Sequence, residues 1–183
     1  MNDTRNVFPV DGRHWMWRRL AKEEDGIGAK FVEGGFGNIR GWQDIRWKRR
    51  AIKQYFQQVR RFKEELMVLV HLSAGAPARA TELLSIRHTN GVEARNQRGV
   101  FIDNGTVSFV TAYHKGFSAS QKAKIIHRYV PREVGELVVQ FLWLIQPFIE
   151  QLQAAVTEEA DAGDAGRSDR FQGWIWEPHP EED

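Results

Sequence analysis

From Trp42 to Leu72 the apolar residues return every three or four positions: Ile52, Tyr55, Phe56, Val59, Phe62, Leu66, Leu69 and Val70. That spacing predicts one long helix with a single apolar face. Residues 66–72 are apolar on every side except at His71, so this end is expected to be the buried one. Ser73-Ala74-Gly75-Ala76-Pro77 stops the helix, because proline disfavours helical geometry in the residue before it. A shorter helix over about 78–85 follows, with Leu83 and Leu84 turned inward.

The period then changes. A polar loop at 89–98 leads into β-prone runs at 100–102, 106–113 and 123–130, separated by Asp103-Asn104-Gly105 and by a loop at 115–121. Asn-Gly between such runs is a hairpin signal, and the three runs predict an antiparallel three-stranded sheet. Pro131 opens a further helix, since proline is tolerated in a first turn. Val134, Leu137, Val138, Phe141, Leu142, Ile145, Phe148, Ile149 and Leu152 form its apolar face, and Pro147 is expected to kink or divide it. Residues 1–41 hold glycines and aromatics without sustained period, with a turn at Pro9-Val10-Asp11-Gly12, a loop at Gly34-Gly35-Phe36-Gly37 and a short helix near 13–24. The predicted class is α+β, mainly helical, with helices flanking the small sheet. Three segments follow: an irregular 1–41, a folded 42–156, and an acidic flexible tail at 157–183 carrying the apolar patch 171–176, which either docks back or meets a continuation.

Composition narrows the chemistry. There is no cysteine, so disulfides, thiolate metal sites and cysteine nucleophiles are excluded. The six histidines (His14, His71, His88, His114, His127, His179) never take the i, i+4 spacing of a helical zinc site. No Walker motif occurs, and no cofactor is expected. No run of 18 apolar residues and no signal-like segment is present, which leads to the expectation of a soluble intracellular protein with no membrane partner.

The net charge of +2 is unevenly spread. Residues 157–183 carry nine acidic and two basic side chains, leaving 24 basic against 15 acidic in residues 1–156, a net of +9 there. From Arg46 to Lys63 there are eight basic residues and no acidic one. A charge run of this kind is often only a solvated face. The absence of compensating acids favours contact with phosphates, with Arg46, Lys48, Arg49, Arg50, Lys53 and Arg60 as candidates.

One stretch has a recognisable pattern. Ala74-Gly75-Ala76-Pro77-Ala78-Arg79-Ala80-Thr81-Glu82-Leu83-Leu84-Ser85-Ile86-Arg87 resembles the first arginine box of tyrosine recombinases: a small-residue turn, an arginine, Glu-Leu three and four positions later, then an aliphatic and a basic residue. Pro77 stands where that family usually has glycine. The succession that follows is also similar, with Tyr113-His114-Lys115-Gly116 leaving one strand and Lys124-Ile125-Ile126-His127-Arg128-Tyr129-Val130-Pro131 forming the next before a helix. The resemblance covers about residues 44–150, and within it the segment 72–151 is similar to Crypton-like elements and to sequences beside RecQ-type helicases in fungal subtelomeric proteins.

The resemblance implies the front half of a recombinase catalytic domain, double-stranded DNA as partner, and a nuclear location in a eukaryote or a cytoplasmic one otherwise. It assigns Arg79 to stabilising charge on a phosphorane, as guanidinium geometry suits, and a hairpin lysine to general acid, with Lys115 the better match and Lys122 the alternative. Arg87, Lys122, Lys124 and Arg128 would add DNA contacts around box and hairpin, and Glu82 would tie its helix to neighbouring backbone. The family's second arginine box and nucleophilic tyrosine have no counterpart. Tyr55, Tyr113 and Tyr129 lie on the first helix and the strands, so no strand cleavage by this chain alone is expected. A missing C-terminal half or helicase region is the further partner that the resemblance implies. The alternative is a protein-interaction or scaffold module derived from this fold.

Overall fold

The long helix begins later than its apolar period does. In the computed structural model, which describes residues 28–34, 46–90, 97–113, 124–158 and 173–176, α1 (Gly28–Phe31) is followed by a short antiparallel bridge between Val32 and Trp47. The Glu33 N–H donates to the Arg46 carbonyl (2.9 Å) and the Lys48 N–H to the Phe31 carbonyl (2.8 Å). Those bonds hold 46–48 extended, so α2 runs over Arg49–Ser73 rather than from Trp42. The helix expected near 13–24 and most of the tail lie outside the described residues.

The described chain is mixed α+β and mainly helical. It forms two compact units, each assembled from two stretches: residues 1–62 with 139–163, and 63–138 with 164–183. The divisions at 62/63 and 138/139 fall inside helices.

The first unit is organised by aromatic residues. Phe31, Val32, Trp47, Ile52, Phe148 and Leu152 are buried together, with Tyr55, Phe56 and Val156 packed against them. Phe31, Tyr55 and Phe148 meet edge to face at centroid distances of 5.4–6.1 Å, the arrangement that ring quadrupoles favour. The C-terminal helix enters this unit as a π-helical turn, Phe141–Ile145, between α4 (Arg132–Gln140) and α5 (Gln146–Glu158). Proline lacks an N–H and crowds the preceding turn. Pro147 was expected to kink or divide this helix; the helix widens just before it, and the Gln146 N–H donates to the Phe141 carbonyl, five residues back. Phe141 is buried and tilts over Phe62 at 5.6 Å.

The second unit carries the sheet. Strands β1 (Val100–Asp103), β2 (Thr106–Tyr113) and β3 (Lys124–Tyr129) pair antiparallel in the order β1-β2-β3. Asn104 and Gly105 make the β1–β2 turn with φ of 50° and 79°, the left-handed pair that a two-residue hairpin of this twist requires. α3 (Ala80–Leu84) packs on β2, with Leu83 and Ile86 buried. α3 is shorter than the expected 78–85 because Arg79 keeps an extended backbone (φ −68°, ψ 152°) after Pro77. Val70, Leu83, Ile86, Phe109 and Arg128 line a cavity of about 10 Å³, room for at most one water.

Backbone pairing continues past β1. The Val110 N–H donates to the Gly99 carbonyl (2.7 Å) and the Gly99 N–H to the Arg87 carbonyl (2.8 Å). On the other side of 86–88, the His88 N–H donates to Gly173 (2.8 Å) and the Ile175 N–H to Ile86 (3.2 Å). Residues 173–176 therefore dock as an extra edge, with Ile175 and Trp176 buried. The expectation that residues 66–72 are buried throughout is corrected: Leu66 and Val70 are buried, but Val68, Leu69 and Leu72 are 53%, 40% and 75% exposed. An all-apolar helix end has no face for water, so solvent meets leucine there. Among the described residues no helix is long and apolar enough to cross a membrane.

Candidate nucleic-acid interface

The basic run of the sequence becomes a surface on α2. Arg46 and Lys48 precede the helix, and Arg49, Arg50, Lys53, Arg60 and Arg61 lie along its first four turns; all seven are exposed. Lys63, the eighth cation of the run, is buried instead. Burial of Ile52, Leu66 and Val70 fixes the helix's rotation, so the cations are turned outward by their own spacing. The first turn holds Arg49 and Arg50 and no acid. The amide dipoles put partial positive charge at that end, so each arginine sits where the helix itself disfavours it. Glu64 and Glu65, exposed one turn beyond Arg61, end the cationic stretch.

The arginine box sits in the second unit. Arg79 is exposed immediately before α3 and makes no side-chain cap bond to that helix. Glu82 is buried and ion-paired with Arg128 at 3.0 Å. The expected tie from Glu82 to backbone is corrected: the link to backbone is made by Arg128, whose Nε donates to the Ala76 carbonyl (3.2 Å) while Nη1 donates to the Thr111 hydroxyl. Arg128 itself was expected on a DNA-contacting face. It is 8% exposed, with its guanidinium directed to three partners, and carries no outward charge. Its position opposite Phe109 in the β2–β3 register puts it on the covered face of the sheet.

Arg87, the other expected contact near the box, is half-buried with its guanidinium 4.8 Å from the centre of the Trp174 ring. Cation–π stacking of this kind holds the side chain against the docked 173–176 segment. Beside it, His88 is half-buried, and desolvation first, then the charges of Lys63 and Arg87, push its pKa down to about 4. Lys115 and Lys122 lie outside the described residues. Lys124 begins β3.

Two of the three tyrosines are described with their side chains, and neither suits a phenolate. Burial pushes Tyr55 up to about 12 within the aromatic cluster. Tyr129 is exposed and donates to Asp103 (2.9 Å), which raises its pKa. Among the described residues no group of three or more acidic or histidine side chains stands together as metal ligands.

The structure thus places Arg49, Arg50, Lys53 and Arg60 on the exposed side of one helix with Arg46 and Lys48 just before it, leaves Arg79 exposed, and withdraws Arg87 and Arg128 into packing. The sequence reading did not single out Arg61 as a contact, although it continues the face, nor the glutamines between these cations. No protein-family model matches the chain, and no solved structure matches it at a significant level.

Proposed function

We propose that this chain is a double-stranded-DNA-binding module resembling the front half of a tyrosine-recombinase catalytic domain, without strand cleavage of its own. The observation that carries the reading is the run of residues 46–61, seven exposed basic side chains on a stretch of sequence that contains no acid. DNA presents one negative charge per about 1.7 Å of axis, and neutralising those charges releases condensed counterions. On this reading Arg79 adds a phosphate contact, and the resemblance adds Lys115 or Lys122. Cleavage is left out because the settings of Tyr55 and Tyr129 disfavour the anionic nucleophile.

The test is a fluorescence-anisotropy titration of a random 25-base-pair duplex between 50 and 200 mM salt. Five phosphate contacts would give a slope of log K against log salt of about −4.5. The pair Arg49→Glu with Arg50→Glu should abolish binding. Absent or salt-independent binding would favour the second reading, a protein-interaction module, which draws on the exposed Val68, Leu69 and Leu72.

A further inference from the structure

We infer that the N-terminal half of α2 reads base pairs in the major groove of duplex DNA, with Gln54, Gln57 and Gln58 setting the sequence preference. The inference rests on the DNA-binding reading and adds to it the residues that distinguish one sequence from another.

At about 100° of helix rotation per residue, the exposed side chains of residues 49–61 separate into two bands. Arg49, Lys53 and Arg60 fall within about 40° of one another and form a cationic rail. Arg50, Gln54, Gln57, Gln58 and Arg61 occupy the adjoining arc of about 100°, and this crest is the part farthest from the stripe of buried Ile52 and half-buried Val59 and Phe56. The rail has what phosphate binding needs, which is charge. The crest centre does not, because a glutamine amide is neutral and gains little from a polyanion. What a glutamine offers is a donor and an acceptor in one plane. That pair matches N7 and N6 of adenine in the major groove, and the flanking arginines match guanine.

The dimensions agree. Arg50 and Arg61 are eleven residues apart, about 16 Å along the axis, or close to five base-pair steps at 3.4 Å. An α-helix with its side chains is about 10–12 Å across, which the B-form major groove admits and the deep, narrow groove of duplex RNA does not. A solvated helix face ordinarily mixes acids with bases through i, i+4 pairs. Here residues 46–61 contain no acid, and the first ones, Glu64 and Glu65, stand four positions after Arg60 and Arg61, where their charge would repel a phosphate and bound the reading surface.

The experiment is repeated selection from a randomised duplex pool with the full chain, followed by anisotropy on enriched and scrambled duplexes. The wild type should enrich an adenine-containing motif of about five base pairs, with roughly 5- to 150-fold discrimination per correctly read pair. Gln54→Ala with Gln57→Ala and Gln58→Ala should keep scrambled-duplex affinity within about threefold and the same salt slope, yet lose the enrichment. Gln57→Lys should move the preference at one pair from A·T toward G·C, a change that a merely structural residue would not produce. Wild-type protein that binds duplexes with steep salt dependence but enriches nothing, a triple variant that enriches the same motif, or equal affinity for duplex RNA of that sequence would each overturn this inference and leave DNA binding standing. A wild type that binds no duplex overturns both.

Discussion

Arg49 and Arg128 carry the same side chain into opposite surroundings. Arg128 is buried in the second unit, where Glu82, Thr111 and the Ala76 carbonyl receive its donors. Arg49 stands exposed at the head of α2, in a first turn that holds no acid, at the end of the helix dipole that disfavours it. The first arginine is held by its own fold and serves stability. The second stands at the helix end whose dipole opposes it, a position that an anionic partner would favour. A positive residue is therefore informative about binding only once its neighbours are known.

The comparison is broken most directly at the buried end. Arg128→Ala leaves Glu82 buried without its partner, and such losses cost about 3–5 kcal/mol. Urea denaturation should show this, whereas the double change Glu82→Leu with Arg128→Met should be far milder because no charge is stranded. If the single and double variants lost equal stability, the pair would not be acting as a pair.

His88 probes the same interior by adding charge rather than removing it. Its folded pKa is about 4, against 6.5 for the free side chain, so the unfolded chain takes up a proton first as pH falls. Stability is complete above about 6.5 and declines towards pH 4, by on the order of 3 kcal/mol from this group. Denaturation at pH 7 and pH 4.5 should show a steeper loss for wild type than for His88→Gln; equal losses would mean the ring is not held neutral.

A smaller effect is expected at the docked edge. Gly173 has φ of +92°, and a Cβ there would lie 2.3 Å from the Thr89 hydroxyl and 2.7 Å from Arg87 Nη2. Gly173→Ala should cost about 1–3 kcal/mol and raise hydrogen exchange at the His88 and Ile175 amides. Unchanged protection at both would argue against the docking.

The smallest stability change belongs to the surface that matters for binding. Arg49→Glu with Arg50→Glu replaces charges that the helix dipole disfavours by ones it favours, so stability should stay level or rise by about 0.3–1 kcal/mol. A thermal melt showing marked destabilisation would place these arginines in the fold's own support.

Local signals were legible in proportion to how locally they are determined. The run 106–113 was readable to the residue because alternation and an Asn-Gly turn specify a hairpin without outside help. The start of α2 was not, since 46–48 is held extended by residues 31–33, which periodicity cannot see. Arg128 was misplaced for a related reason. β3 offers Ile125 to one face and Ile126 to the other, so alternation alone does not say which face is covered; the register opposite Phe109 does. At the candidate site the cations were visible as a run, and the glutamines were not, because a neutral helix-forming residue gains meaning only when its exposure is known.

The docked edge also bears on how the chain is made. The backbone of 86–88 receives its outer partner from residues 173–176, about ninety positions later. At roughly 5–20 residues per second, the ribosome leaves that edge unpaired for on the order of ten seconds. Open β-edges can recruit other chains, so the newborn protein passes through an interval in which Ile86 stands without the partner that Ile175 later supplies.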